Sequence, residues 1–134
     1  MIGSISKEML EGILETIPMD ISILDANDKV ISWNHHETRI FKRTETVLGK
    51  DVRNCHPEKS LDKVEKIINE MKEGIRNKAQ FWIDFQLGYE EQPRKILIEY
   101  YALRDPQGTY VGVVEASQDV TGIQGLKGEK RLLD

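Results

Sequence analysis

Across 134 residues there is one cysteine, Cys55, there are four prolines, and aromatic residues make up only 7%. A single Cys excludes an internal disulfide and points to a reducing, cytoplasmic setting. It also excludes zinc sites of the Cys-x-x-Cys kind, and no His-x-x-x-His occurs. No apolar run approaches the length of a membrane span, and the opening "MIGSISKEMLEG" is too acidic and interrupted for a secretory signal. Positive charge is in short supply: 19 Lys and Arg against 23 Asp and Glu leave a net −4, which argues against a general nucleic-acid-binding face. Internal repeats and low-complexity tracts are missing as well.

What is present, 39% hydrophobic and 31% charged residues, describes one globular domain able to bury a core without staples. In "SISKEMLEGILETIP" the residues Ile5, Met9, Leu10, Ile13, Leu14 and Ile17 recur at helical spacing. Ser4 or Ser6 can cap this helix and Pro18 ends it. Gly12 weakens it by about 1 kcal/mol relative to Ala, so it needs a surface to pack on, either the domain's own core or a second copy. "MDISILDANDKVISWN" reads as a hairpin, with Ile21 and Ile23 on one face and a turn built from "DANDK". Two brief helical turns are expected between His35 and Gly49. Leu61, Val64, Ile67, Ile68 and Met71 then stripe a helix over Leu61 to Lys72, with Ser60 as its cap, Gly74 as its stop and Asp62–Lys66 as a solvated pair.

The second half reads as strands. Phe81, Ile83, Phe85 and Leu87 alternate with Gln80, Trp82, Asp84 and Gln86; "RKILIEYYALR" and "TYVGVVEASQDV" follow, joined by a turn at "DPQG". The order is helix, hairpin, short helices, then three antiparallel strands: an α+β domain.

Cys55 and His56 are the obvious chemical candidates. As a nucleophile and base they are badly placed, because neighbours in an extended segment send their side chains apart and no third group orients the His. With His35 and His36 they also make a poor metal set, having too few well-spaced donors. The plain reading is a loop in which Pro57 holds His56 extended, Ser60 starts the helix and Cys55 is a small buried residue; at least one of His35 and His36 is exposed polar surface. No constellation of nucleophile, base and orienting group is evident, so the chain is not expected to be an enzyme.

The hairpin with "DANDKVISWN", the short helices ending in "VLGKD", the "HP" before the longer helix and the meander closing on "DVTGI" together resemble the PAS sensor family over Ile17 to Ile123. Asn34, Gly49 and the Asp119-x-Thr121 of "QDVT" sit where that family carries its Asn, Gly and Asp-x-Thr. "NCHPEKS", "FWID" and "GEKRLLD" are further similar to the PAS module that ends certain bacterial and archaeal proteins also carrying a hemerythrin-like domain, although no hemerythrin segment is present. The chain is then a single-module member or a fragment of a longer protein.

The resemblance implies a five-stranded antiparallel sheet with short helices on one face. It divides the chain into an N-terminal helix (1–17), a PAS domain (18–121) and a C-terminal connector (122–134). It also implies a pocket, for which Ile23, Trp33, Phe41, Val64, Ile68, Phe85, Ile98 and Val113 are available as lining, though an ordinary filled core would use the same residues. The expected function is sensory: a small molecule or cofactor binds near Cys55, His56, Trp33, Phe41, Ile68, Phe85 and Ile98, and Asp119 and Thr121 pass the signal to the connector or across a homodimer. A cofactor-free dimerisation module is the alternative. Flavin is disfavoured because "CHPEKS" lacks the flavin-binding pattern. Haem stays open only with His56 as ligand, since the helix from Leu61 to Lys72 holds no His.

Overall fold

A computed structural model describes residues 1–133. Asp134, the last residue of the expected connector and of "GEKRLLD", lies outside the described residues.

Ser6 accepts the Met9 amide at 3.1 Å and starts helix α1 (Lys7–Thr16). The chain turns extended at Ile17, one residue before Pro18, as the proline requires. No residue of α1 is buried, so its apolar stripe does not cover the core. Strands β1 (Asp20–Asp25) and β2 (Val30–Trp33) form the expected hairpin. Asp25 Oδ1 closes the turn by accepting the Asn27 and Lys29 amides at 2.8 and 3.0 Å.

From His35 to Lys50 the expected two helical turns reduce to one 3-10 turn, Glu45–Val47. Two more, Val52–Cys55 and Glu58–Ser60, lead directly into α2 (Leu61–Lys72). Ser60 is therefore not a side-chain cap: it is already helical, makes no capping bond and inherits its turn from Pro57. Val64, Ile68 and Met71 bury the predicted stripe. Gly74 stops the helix at φ +76°. Lys66 turns to Glu70 at 3.9 Å rather than to Asp62, a C-terminal choice of partner on the same helix face.

Strands β3 (Lys78–Phe85), β4 (Arg94–Arg104) and β5 (Tyr110–Asp119) complete an all-antiparallel five-stranded sheet of order β2-β1-β5-β4-β3. The β4–β5 turn closes through the Gly108 amide to the Asp105 carbonyl at 2.9 Å. Val30, Ile96, Ile98, Tyr100 and Val113 pack with Val64, Ile68 and Met71 of α2 as the core.

One strand is turned over relative to expectation. Asp20, Ser22 and Leu24 are the buried residues of β1, and Ile21 and Ile23 lie half-buried on the outer face. Ile23 accordingly does not line the cup. Two buried partners explain the register: Asp20 receives the Ile40 and Phe41 amides at 3.0 and 2.7 Å, and Ser22 receives Arg39 at 2.8 Å.

Candidate functional site

The inner face of the sheet carries a polar row that apolar patterning does not reveal. Tyr100 on β4 pairs with Glu115 on β5, which pairs with Ser22 on β1, which pairs with Trp33 on β2. Residues paired across antiparallel strands share a face, so all four point into the cup. Arg43 reaches this row from the loop, donating to Ser22 Oγ at 3.2 Å and standing 3.9 Å from Glu115. Burial, with Glu115 adding to it, holds the Tyr100 phenol well above its usual pKa.

His56 joins the row from the opposite side. Its Nδ1 lies 3.0 Å from the Val52 carbonyl and its Nε2 3.1 Å from the Tyr100 hydroxyl. The carbonyl can only accept, so Nδ1 carries the proton and Nε2 receives the Tyr100 hydroxyl. Both ring nitrogens are thus committed within the protein.

Beside this row a cleft of about 490 Å³ opens between the loop at 42–50 and the turn at 54–55. Lys42, Arg43, Thr44, Val47, Lys50, Asn54 and Cys55 line it. Cys55 is half-buried, and its Sγ lies 3.8 Å from the Asp51 carbonyl.

The other predicted lining residues sit elsewhere. Ile98 and Ile68 are buried core, and Trp33, Phe41 and Phe85 pack against that core, with Phe41 and Phe85 meeting edge to face at 5.1 Å. Residues 42–50 carried no sequence signal as a site. Their cations are scattered at irregular spacing, and only the loop's fold around Val47 gathers them.

A second buried cluster ties α1 to the sheet. Asn34 donates to the Leu14 and Met19 carbonyls at 2.7 and 2.8 Å and receives Arg39 at 2.7 Å. Burial pulls the Arg39 guanidinium below its ordinary pKa, and Asp20 opposes that shift. His36 belongs here too, with Nε2 3.0 Å from the Met19 carbonyl, whereas His35 is exposed.

At the far end, Asp119 and Thr121 sew the exit of β5 to the start of β4. Arg94 donates to Asp119 at 2.7 Å, the Lys95 amide to Thr121 Oγ1 at 2.8 Å, and the Thr121 amide to Asp119 at 3.0 Å. Burial alone would raise the Asp119 carboxyl, but the Arg94 and Thr121 bonds outweigh it and hold the pKa below its usual value. After Thr121 only a 3-10 turn, Ile123–Gly125, is formed, and no helix follows it among the described residues.

A five-stranded antiparallel cup with short helices on one face and a stitched strand exit defines an α+β domain of the PAS-like fold. The sequence profile of the PAS domain matches residues 10–121, and the chain belongs to the PAS domain family. It is similar to the C-terminal domain of a Streptococcus mutans protein, at 32% identity over 95% of this chain and 94% of that one, with a TM-score of 0.81. A sensory box sensor histidine kinase from Vibrio cholerae shares the fold at 20% identity over 86% of this chain and 91% of that one, TM-score 0.58. So does the PAS domain of a Colwellia psychrerythraea protein, at 15% identity over 86% and 97%, TM-score 0.62. Among curated proteins no match is found. PAS domains are in general sensory rather than catalytic. Among the described residues, no helix is long and apolar enough to cross a membrane.

Proposed function

We propose that this PAS domain is a sensory and regulatory module that binds a small molecule in the cleft beside Cys55 and passes the response to the segment after Thr121. One observation carries the reading: Arg43 lines the cleft and, with the same guanidinium, contacts Ser22 and Glu115 on the inner face of the sheet. Anything seated in the cleft therefore bears on β5. That strand ends at Asp119, where a shift between β4 and β5 pulls on the bonds at Arg94 and Lys95. Phe41, Phe85, Trp33, Ile68 and Ile98 are in this reading the packed wall behind the cleft, and His56 is the link between Tyr100 and the turn that carries Cys55. A cytoplasmic setting and a place beside a hemerythrin-like domain in a longer protein belong to the same proposal.

Haem binding would require His56 to give up Tyr100 or Val52, at about 1 kcal/mol for each bond broken. The second reading, a cofactor-free homodimerisation module, is favoured by α1, whose Met9, Leu10 and Ile13 are 58%, 48% and 43% exposed. Mass spectrometry of small molecules released on denaturing the purified protein separates the two. A stoichiometric compound, diminished in Arg43→Gln, is expected. Recovery of nothing, together with no Soret band after haem addition, would leave the dimerisation module. A Soret band that His56→Ala abolishes and His35→Ala spares would make haem the ligand.

A further inference from the structure

In a chain of net charge −4, Lys42, Arg43 and Lys50 line one cleft that no carboxylate lines among the described residues. Their own partners are weak. Lys42 Nζ is held by a backbone carbonyl, that of Glu37 at 2.7 Å, and Lys50 forms no ion pair among the described residues. Arg43 stands 3.9 Å from Glu115, beyond hydrogen-bond length, although both side chains are largely buried, at 14% and 15% exposure. Arginines elsewhere in this protein do better: Arg53 and Arg94 close on carboxylates at 2.6 and 2.7 Å. Thr44 and Asn54 add uncharged donors to the same wall. A cleft of about 490 Å³ is of the size that takes a small organic molecule.

We propose that this cleft binds a small organic anion, a carboxylate or phosphate ester, and that Arg43 is shared between the anion and Glu115. The proposal rests on the ligand-binding reading above and names the chemistry of that ligand. A guanidinium fork matches a carboxylate or phosphate with two parallel bonds, while Lys42 and Lys50 supply point charge from the rim. An anion that draws Arg43 outward leaves Glu115 facing the Tyr100 hydroxyl with its ion-pair partner withdrawn and Arg39 acting on it only from farther away. The hydroxyl then turns from His56 to Glu115, because a charged acceptor forms the stronger bond. Occupancy is in this way written into the middle of the sheet.

Titrating isotope-labelled protein with succinate, with inorganic phosphate and with neutral succinamide at constant ionic strength tests this by NMR. One or both anions are expected to shift the amides of Lys42 to Thr44, Lys50 and Asn54 together with the His56 ring signals, and succinamide is expected to shift none. The response to succinate against phosphate distinguishes a carboxylate from a phosphate ligand. Lys50→Gln should weaken binding about tenfold, while Lys63→Gln on the exposed face of α2 should leave it unchanged. Lys50 is exposed, so its replacement leaves the fold intact. The proposal is overturned if succinamide competes equally, if neither anion shifts these amides, or if Lys50→Gln binds like the parent chain. A neutral compound released on denaturation would also overturn it while leaving the ligand-binding reading standing.

Discussion

Asn34 and Arg39 meet side chain to side chain at 2.7 Å, both 4% exposed, and the same Asn34 amide donates to the Leu14 carbonyl at 2.7 Å, which fastens helix α1 to the sheet. The Asn34 amide nitrogen spends its donors on Leu14 and Met19, its oxygen takes Arg39 and the Ile21 amide, and every polar atom of the side chain is used. Replacing Asn34 by Ala should therefore lower stability by about 2 to 4 kcal/mol, since it leaves Arg39, the Ile21 amide and two carbonyls short of a partner in a buried site. Urea denaturation measures the loss. Hydrogen exchange should show α1 opening first, and unchanged protection of Lys7 to Thr16 would refute the tether.

Removing the Tyr100 hydroxyl isolates the His56 contact. Tyr100→Phe keeps the ring and its packing against Phe81 at a centroid distance of 5.7 Å, but strips His56 Nε2 of its donor. A loss of about 1 kcal/mol is expected in denaturant titration, together with a changed His56 tautomer equilibrium in nitrogen NMR. A loss near zero with unaltered His56 signals would mean that the pair is incidental.

Gly112 admits no side chain. An added Cβ would sit 2.2 Å from the Leu24 carbonyl oxygen, across the pairing of β5 with β1, and the φ of +156° is itself one that side chains rarely adopt. Gly112→Ala should cost about 3 kcal/mol or more, because the obstacle is backbone that cannot turn aside. Retention of the parent melting temperature would show that β1 and β5 can separate freely.

Acid should loosen the outer face of the sheet before the core. The bond from Tyr101 holds the Glu99 carboxyl below its usual pKa; burial opposes this, and Lys78 adds to the lowering. Asp119 is likewise depressed. A carboxyl depressed on folding stabilises the native state above its unfolded pKa, near 4, and that contribution disappears as pH falls through the lower folded value. Stability should thus be flat above about pH 5 and decline below about pH 4. Glu99→Gln should make that decline shallower, which denaturant midpoints measured from pH 3 to pH 7 will show.

The exposed stripe of α1 makes the last prediction. On the dimerisation reading, Ile13→Glu should convert dimers to monomers on a sizing column with little change in melting temperature, since Ile13 is 43% exposed and supports no core. An unchanged elution volume from a dimeric parent would move the interface elsewhere.

Local rules were legible in the chain before any coordinates. Ser6 and Pro18 bound α1, the stripe of Val64, Ile68 and Met71 faces inward, and "DPQG" turns where its Asp and Gly direct it. Each depends on residues within a few positions of one another, and periodicity reports such information directly. Of the residues that line the cleft, only Cys55 was among those the sequence marked as a site. The alternation predicts Ile23 facing inward, on the ordinary assumption that apolar residues choose the core. The reverse holds because Arg39 and the amides of Ile40 and Phe41 reach Asp20 and Ser22 from residues about twenty positions away.

By itself the order of residues determined that there would be an amphipathic helix, a hairpin and a three-stranded meander, because backbone sterics, capping and alternation act over one or two turns of chain. Only the tertiary structure decided which face of β1 is inside, that Lys42, Arg43 and Lys50 share a cleft with Cys55, and that His56 answers to Tyr100. Those outcomes depend on satisfying buried polar groups with distant partners. Hydrophobic pattern carries no record of which distant donor will arrive.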